Sequence, residues 1–306
     1  MKYNQDSVAV NSVSSMAVIT NFNIPEKRDM ALKVINKLIE LDCKVVLPMR
    51  ATDKVPMLEE WNNKVELLPF DKLYKSVGVV IVLGGDGTIL ESARYAALNG
   101  IPVLGMNLGR LGYLAELEIG EVGELRRLIS GDYYLEEHSM IKVSLKSERK
   151  GRIYCGYALN DAVVSNTSST KVIDLELLEN GDTVVANYRA DGLIVATPTG
   201  STAYSMSAGG SVIDPRLKCI CVTPICPHSF GSKPMVFPEN VELEIKNRCQ
   251  REKNLSLIID GKKSVDVYYG DRVCVSKATT TAKFVRFKPR SFYLTLCRKM
   301  QNSIGG

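Results

Sequence analysis

Residues 77–83 form an apolar run interrupted only by Gly78, and this run leads directly into Gly84-Gly85-Asp86-Gly87-Thr88. An amphipathic segment follows, with Ile89, Leu90, Ala93, Ala96 and Ala97 on one helical face. No other feature constrains the chain so strongly: a buried strand, a glycine turn and a helix in immediate succession belong to a parallel α/β sheet. Glycine permits positive φ and lets an anion approach the main chain, while the first N–H groups of the helix point outward without intrahelical partners. Such geometry binds phosphate at the carboxyl end of a parallel strand. The plainer alternative is a tight strand-to-helix turn with Asp86 as its cap.

The flanking sequence continues the alternation. Strands are expected at 16–20, 44–47, 78–83 and 103–106, with helices at 26–41 and 88–99, the second stopped by Asn99-Gly100. A bridging helix at 121–129 then gives way to closely spaced β runs at 141–145, 153–165, 173–178, 183–187, 192–196, 219–222, 241–245, 255–259, 264–268 and 272–275. A polar patch at 277–283 precedes apolar runs at 284–287 and 292–300. The expected architecture is an α/β N-terminal domain with a parallel sheet (1–115, with 285–306 returning to it) and a C-terminal all-β sandwich domain (116–284).

Composition narrows the function classes. The 306 residues are 45% hydrophobic and 24% charged, which excludes a disordered chain. A net charge of +5 favours anionic ligands but falls short of a nucleic-acid-binding stripe, so no nucleic acid partner is expected. No apolar run approaches the ~18 residues of a membrane span, and the first fifteen residues carry no signal-peptide pattern; no membrane partner and a cytoplasmic location are expected. The eight cysteines are scattered, most of them in strand-like runs. Cys219, Cys221, Cys226 and His228 lie close together, but Cys219 and Cys221 alternate along an apolar stretch as a strand would place them, so buried thiols are expected there and no metal ligands are assigned.

Common catalytic signatures are absent, including the Gly-x4-Gly-Lys phosphate loop, Gly-x-Gly-x-x-Gly, His-Glu-x-x-His and Gly-x-Ser-x-Gly. With only His138 and His228 in the chain, the chemistry falls to carboxylates, hydroxyls and backbone. A carboxylate in a phosphate cradle costs electrostatic energy unless it acts, and two roles suit Asp86: accepting a proton from an attacking hydroxyl, or engaging a divalent cation that bridges phosphate oxygens. A second dense constellation spans 191–210, preceded by Arg189. There Asp191 enters an apolar strand, Pro198 stops it, and Ser201 or Thr202 is placed to cap a short helix. Its hydroxyls and Tyr204 suit a base and a ribose; the alternative is a Ser/Thr-rich loop without a ligand.

Taken together, Gly84-Gly85-Asp86-Gly87-Thr88, Asn107-Leu108-Gly109-Arg110-Leu111-Gly112-Tyr113-Leu114, Asn160-Asp161, the 191–210 string and Thr223-Pro224-Ile225-Cys226-Pro227-His228-Ser229 closely resemble the NAD kinases of bacterial type. The resemblance runs from about residue 15 to residue 300. It implies transfer of the γ-phosphoryl group of ATP, with a divalent cation (Mg2+), to the 2′-hydroxyl of the adenosine ribose of NAD+, giving NADP+ and ADP. By the same resemblance Asp86 is the proton acceptor. The nucleotide contacts are then Gly84, Gly85, Gly87, Thr88, Asn160, Asp161, Lys171, Arg189, Asp191, Thr202, Ala203, Tyr204, Ser205, Met206 and Ser207. A homo-oligomer, dimer or tetramer, with NAD sites completed near a subunit interface, is also implied.

The chain departs from the family pattern at three places. Lys262 stands where many bacterial relatives have Gln, Ser211 where Pro is usual, and Asn23-Ile24-Pro25-Glu26 is a degraded form of an N-terminal signature. A contact attributed to that Gln does not transfer, and a phosphate contact is the alternative for Lys262. The competing readings are a diacylglycerol-type lipid kinase, a dinucleotide-binding sensor without catalysis, and a zinc-binding scaffold.

Overall fold

The computed structural model describes residues 13–55, 60–61, 63–109, 112–147, 150–166, 172–228, 232–250, 254–289 and 291–304. The chain forms two compact units, one running up to Glu137 and resuming at Ala282, the other His138–Thr281. No helix among the described residues is long and apolar enough to cross a membrane.

In the first unit five strands run parallel in the order Val103–Asn107, Val79–Leu83, Ser15–Ile19, Lys44–Pro48, Val65–Leu68. Winding starts at Ser15–Ile19, proceeds outward to Val65–Leu68, then returns to the other side at Val79–Leu83. The reversal puts a switch point between Ser15–Ile19 and Val79–Leu83, where open α/β sheets hold ligands beyond the carboxyl ends of the strands. Thr20 donates its hydroxyl across that point to the carbonyl of Leu83 (2.9 Å). All five residues of Val79–Leu83 are fully buried, which explains why the strand is apolar throughout and does not alternate. Helix Pro25–Glu40 opens with Pro at its first turn and buries Met30, Ala31, Val34, Ile35 and Leu38 at helical spacing.

The strand Arg272–Arg286 enters this unit at Ala282, and Phe284 pairs in parallel with Val103. Helix Phe292–Ile304 follows. The expected strand 272–275 is therefore corrected: it continues through the polar patch at 277–283, with Ala278 and Ala282 buried between the more exposed Lys277, Thr279 and Lys283. Polar character there marks the alternation of a strand.

The second unit is a sandwich of two antiparallel sheets. One carries Thr183–Ala190, Ile173–Glu179, Leu243–Asn247 and the first residues of Arg272–Arg286. The other carries Met235–Pro238, Cys219–Ile225, Gly192–Ala196, Asp161–Asn166, Asn254–Ile259 and Lys262–Tyr268. Their inner faces meet in one cluster that includes Leu175, Leu177, Ile245 and Val273 from the first and Val164, Leu193, Val222 and Leu257 from the second.

Three other expectations need correction. The run 153–165 is two strands, Gly151–Ala158 and Asp161–Asn166, broken at Leu159 and Asn160. The bridging helix 121–129 is a 3₁₀ segment, Ile119–Leu125, leading into a short α-helix, Arg126–Ser130. Helix 88–99 begins two residues earlier, as Asp86–Ala97. The strands Val65–Leu68 and Met235–Pro238 were not anticipated; both are four residues long and only partly buried, so their hydropathy pattern is weak.

Phe284 is fully buried and ties the returning segment to the parallel sheet. Phe284→Ala is expected to lower the stability of the first unit by about 3–5 kcal/mol, read as a reduced urea midpoint. A loss below about 1 kcal/mol would show that the segment does not pack into this core.

Candidate functional site

Asp86 is the first residue of its helix, with Gly85 as N-cap and no side-chain hydrogen bond capping the helix. The cap reading is thereby corrected. Its carboxylate turns instead to a loop that follows Val103–Asn107: Oδ2 accepts the N–H of Tyr113 (2.9 Å) and Oδ1 the N–H of Leu114 (3.1 Å). Lys299, on helix Phe292–Ile304, donates to Oδ2 at 2.7 Å. Burial pushes the Asp86 carboxyl upward, and the Lys299 ammonium with the two amides outweighs it, so the group is held below the ordinary carboxylate value. The close fit requires glycine at 112, where an added Cβ would overlap Asp86 Oδ1.

The neighbouring glycines use their freedom differently from expectation. None of Gly84, Gly85 and Gly87 has positive φ. Gly84 lies tight against the Thr88 side chain, with its missing Cβ 3.0 Å from Thr88 Oγ1, whereas at Gly85 and Gly87 a Cβ would meet nothing within 4 Å. What the sequence supplies here is open space over the first turn of a twelve-residue helix. A phosphate can approach the main chain there without a side chain intervening.

In the second unit the strand Gly192–Ala196 organises the remaining residues. Beyond its carboxyl end lie a 3₁₀ turn, Thr199–Thr202, and the short helix Tyr204–Ser207. The expected Ser201 or Thr202 cap is not formed, since Ala203 precedes that helix without a side-chain bond. Ser201 is buried, donates to the Pro198 carbonyl (2.7 Å) and accepts from the Ile213 amide (2.9 Å). Ser205 is buried against Thr223 (2.9 Å), while Tyr204 and Ser207 are exposed and Thr202, Ala203 and Met206 partly so.

Asn160 and Asp161 reach this end of the strand through a device the sequence analysis missed. Asp260 accepts three successive amides, Leu159 (3.0 Å), Asn160 (2.8 Å) and Asp161 (3.1 Å). Those bonds bend the chain between Gly151–Ala158 and Asp161–Asn166. The Asn160 carbonyl accepts the Thr197 amide (2.8 Å), and Gly200 packs so closely on Asn160 that a Cβ there would strike its backbone. The only trace of Asp260 in the sequence is an Asp-Gly turn, which signals punctuation and not a binding role. Lys262 is exposed just beyond that turn.

Arg189 and Asp191 are exposed at the opposite end of Gly192–Ala196, with Arg189 4.0 Å from Asp174. Five strand residues, roughly 17 Å, separate them from Thr197. The His228 amide bonds to the Arg189 carbonyl (2.8 Å) at that same end. Lys171, like Arg110, Leu111 and Ser229, lies outside the described residues.

Among the described residues, no group of three His, Cys, Asp or Glu side chains at the glycine turn is close enough to share a divalent cation. Three donors, one of them an ammonium, already surround Asp86, which is unsuited to a hard cation. Among the described residues, the one group of three His, Cys, Asp or Glu close enough to share an ion is Glu242, Glu244 and Cys274 on the sandwich strands. Cys219 and Cys221 lie on strand Cys219–Ile225, with Cys226 exposed at its end.

Burial, and then the charge of Asp260, push the Asp161 carboxyl up to about 7. Between its ordinary value of 3.8 and about 7 the folded chain holds a proton that the unfolded chain has released. Stability from this group is therefore fully present below that window and is lost as pH rises through it. Asp161→Asn is expected to show a smaller fall in Tm than the parent between about pH 5 and about pH 8. Equal slopes in thermal scans would mean that Asp161 titrates as an ordinary carboxylate.

Comparison with known proteins adds an independent finding. Residues 16–133 match the family model described as the ATP-NAD kinase N-terminal domain, and 159–287 the ATP-NAD kinase C-terminal domain. The chain is 36% identical to the NAD kinase of Heliobacterium modesticaldum over 94% of its own length and 98% of that protein. It is 38% identical to the NAD kinase of Carboxydothermus hydrogenoformans, over 78% and 85% respectively. An NAD kinase from Archaeoglobus fulgidus solved in complex with ATP superposes with a TM-score of 0.70 at 27% identity, covering 94% of this chain and 98% of that one. Yeast NADH kinase complexed with NADH shares the fold, with a TM-score of 0.84 at 24% identity over 96% and 88%.

Proposed function

Since the chain belongs to the NAD kinase family, we propose that it transfers the γ-phosphoryl group of ATP to the 2′-hydroxyl of the adenosine ribose of NAD+, with Asp86 accepting the hydroxyl proton. The observation that carries the assignment of Asp86 is its place. It is a buried-sided carboxylate fixed by two amides at the carboxyl end of a central parallel strand, beside the open main chain of Gly85 and Gly87.

In the transfer, the bond from the ribose 2′-oxygen to the γ-phosphorus forms as the bond from that phosphorus to the β,γ-bridging oxygen breaks. ADP leaves with that electron pair, and the hydroxyl proton passes to Asp86 Oδ1. Catalysis of this kind is mostly positioning of the acceptor oxygen in line with the phosphorus. Gly84, Gly85, Gly87 and Thr88 frame the space for phosphate, and the helix N-terminus behind them favours negative charge. Mg2+, bound with ATP, would neutralise charge on the nucleotide's phosphates.

Asn160, Asp161, Thr202, Ala203, Tyr204, Ser205, Met206 and Ser207 would serve the NAD side of the reaction. Of these Tyr204 and Ser207 are the most exposed, and Tyr204 offers a ring for stacking. Arg189 and Asp191 stand too far along the strand to join them in the same copy of the sandwich, and both are exposed. That separation supports a homo-oligomer in which these two residues complete the site of another copy.

Incubation with ATP, Mg2+ and NAD+, coupled to an NADP-specific dehydrogenase, tests the reaction and separates it from a catalytically silent sensor. Asp86→Asn is expected to lose most of kcat, at least about 100-fold, while NAD+ binding by calorimetry survives. Near-normal turnover in that variant would remove Asp86 from the role. Tyr204→Ala is expected to raise the KM for NAD+ by about 10-fold with kcat largely retained; an effect confined to ATP would place Tyr204 elsewhere.

A further inference from the structure

The shortest contact of the Asp86 carboxylate comes from Lys299, 213 residues further along the chain. Helix Phe292–Ile304 presents Phe292, Leu296 and Lys299 at i, i+4 and i+7, which lie on one face. Leu296 is buried, and the Phe292 ring centroid is 6.4 Å from that of Tyr113. Tyr293, Leu294 and Met300 are exposed on the other side. With its apolar residues docked in this way, the helix extends Lys299 over the Tyr113 ring, 3.6 Å from the centroid, onto Asp86 Oδ2.

A carboxylate offers about four acceptor directions. The Tyr113 amide and Lys299 occupy those of Oδ2, and the Leu114 amide takes one on Oδ1. By this count one acceptor direction is left, on Oδ1, which packs beside the Gly112 main chain. Were Lys299 absent, the carboxylate would have an open acceptor on Oδ2 and could turn about its amide bonds.

We propose that Lys299 is a positioning residue for the transfer, holding Asp86 with Oδ1 as its proton-accepting oxygen and so making the C-terminal helix part of the catalytic centre. The proposal rests on the reading of Asp86 as proton acceptor. Among the described residues, Lys299 from the helix and the Tyr113 phenol from the loop are the titratable groups facing the carboxyl; strand Val79–Leu83 and the glycine turn carry none. Burial and the Asp86 charge hold the Tyr113 phenol above its ordinary value, so it stays neutral and Lys299 supplies the compensating charge. Without it, burial governs the carboxyl and drives its protonation to higher pH.

The test compares the full-length parent with Lys299→Met, Lys299→Arg and Asp86→Asn, using ATP, Mg2+ and NAD+ in the coupled assay across pH. Lys299→Met is expected to lower kcat about 10-fold near pH 6, to move the acid limb of kcat up by about one pH unit, and to leave the KM for NAD+ within about twofold. Lys299→Arg is expected to restore the limb to within about half a unit. In an Asp86→Asn background, Lys299→Met should add no further loss. An unmoved acid limb, or an equal loss in both backgrounds, overturns the proposal. Normal turnover by Asp86→Asn alone is a different result, because it removes the proton-acceptor reading itself.

A carbon-13 titration of the Asp86 carboxyl in the ligand-free chain supplies a readout independent of turnover. Its midpoint should rise in Lys299→Met, and an unchanged midpoint overturns the proposal. Lys299→Gln, which keeps a hydrogen-bond donor and removes the charge, carries the same comparison if the Met variant fails to fold.

Discussion

Removing a carboxylate from water costs several kcal/mol unless the protein replaces the lost hydration, and the arrangement around Asp86 is built to replace it. Two segments far from it in sequence supply the three donors: the loop at 112–114, through the Tyr113 and Leu114 amides, and the C-terminal helix, through Lys299. The loop is itself anchored. Arg286, 3% exposed, donates to the Leu114 carbonyl at 3.0 Å and to Glu136 at 2.6 Å. Glu116 accepts the Phe287 amide at 2.9 Å and lies 3.7 Å from Arg286. A buried guanidinium between carboxylates contributes little net stability, but breaking it by removing one partner costs about 3–5 kcal/mol. The network therefore fixes the peptide that fixes Asp86, and it can form only after the chain returns from the sandwich.

The same logic recurs in the second unit with backbone donors. Asp260 has φ +46, an αL conformation that Asp tolerates, and its side chain gathers the amides of 159–161. Those bonds fix the bend on which Asn160 and Asp161 sit. Gly200 then closes on Asn160 without room for a side chain. One carboxylate thus holds the backbone, while its neighbour Asp161 is left buried beside it and pushed toward the neutral form. Two acids placed together can divide their roles in this way because like charges at short range disfavour double ionisation.

Most of the architecture was legible in the sequence because it depends on hydropathy period. The fully buried strand Val79–Leu83 and the helices Pro25–Glu40 and Asp86–Ala97 came within a few residues, and Gly192–Ala196 agreed at both ends. The glycine turn also singled out Asp86 as a candidate. What could not be read were the partners that give Asp86 its properties, since Lys299 and the amides at 113 and 114 meet it only through tertiary folding. The strand through 277–283 and the break at 159–160 failed for a related reason. A polar alternating stretch and an apolar continuous one were each assigned by composition, whereas in the structure Phe284 pairing in the first case and Asp260 in the second decide the outcome.

The depressed Asp86 carboxyl appears at first to count against a base. A carboxylate stabilised by an ammonium and two amides holds a proton weakly, and an alcohol gives one up reluctantly, so transfer before bond formation is steeply uphill. Phosphoryl transfer does not require that order. In a loose transition state the acceptor oxygen acquires little bond to phosphorus until late, and its proton becomes acidic only as that bond grows. A weak base is sufficient at that moment provided it is already in place. On the proposed reading the contribution of Asp86 is directional: a carboxylate oxygen already fixed by Tyr113, Leu114 and Lys299 when the hydroxyl attacks. The interactions that lower its basicity are the same ones that hold it still, and for this reaction the second effect outweighs the first.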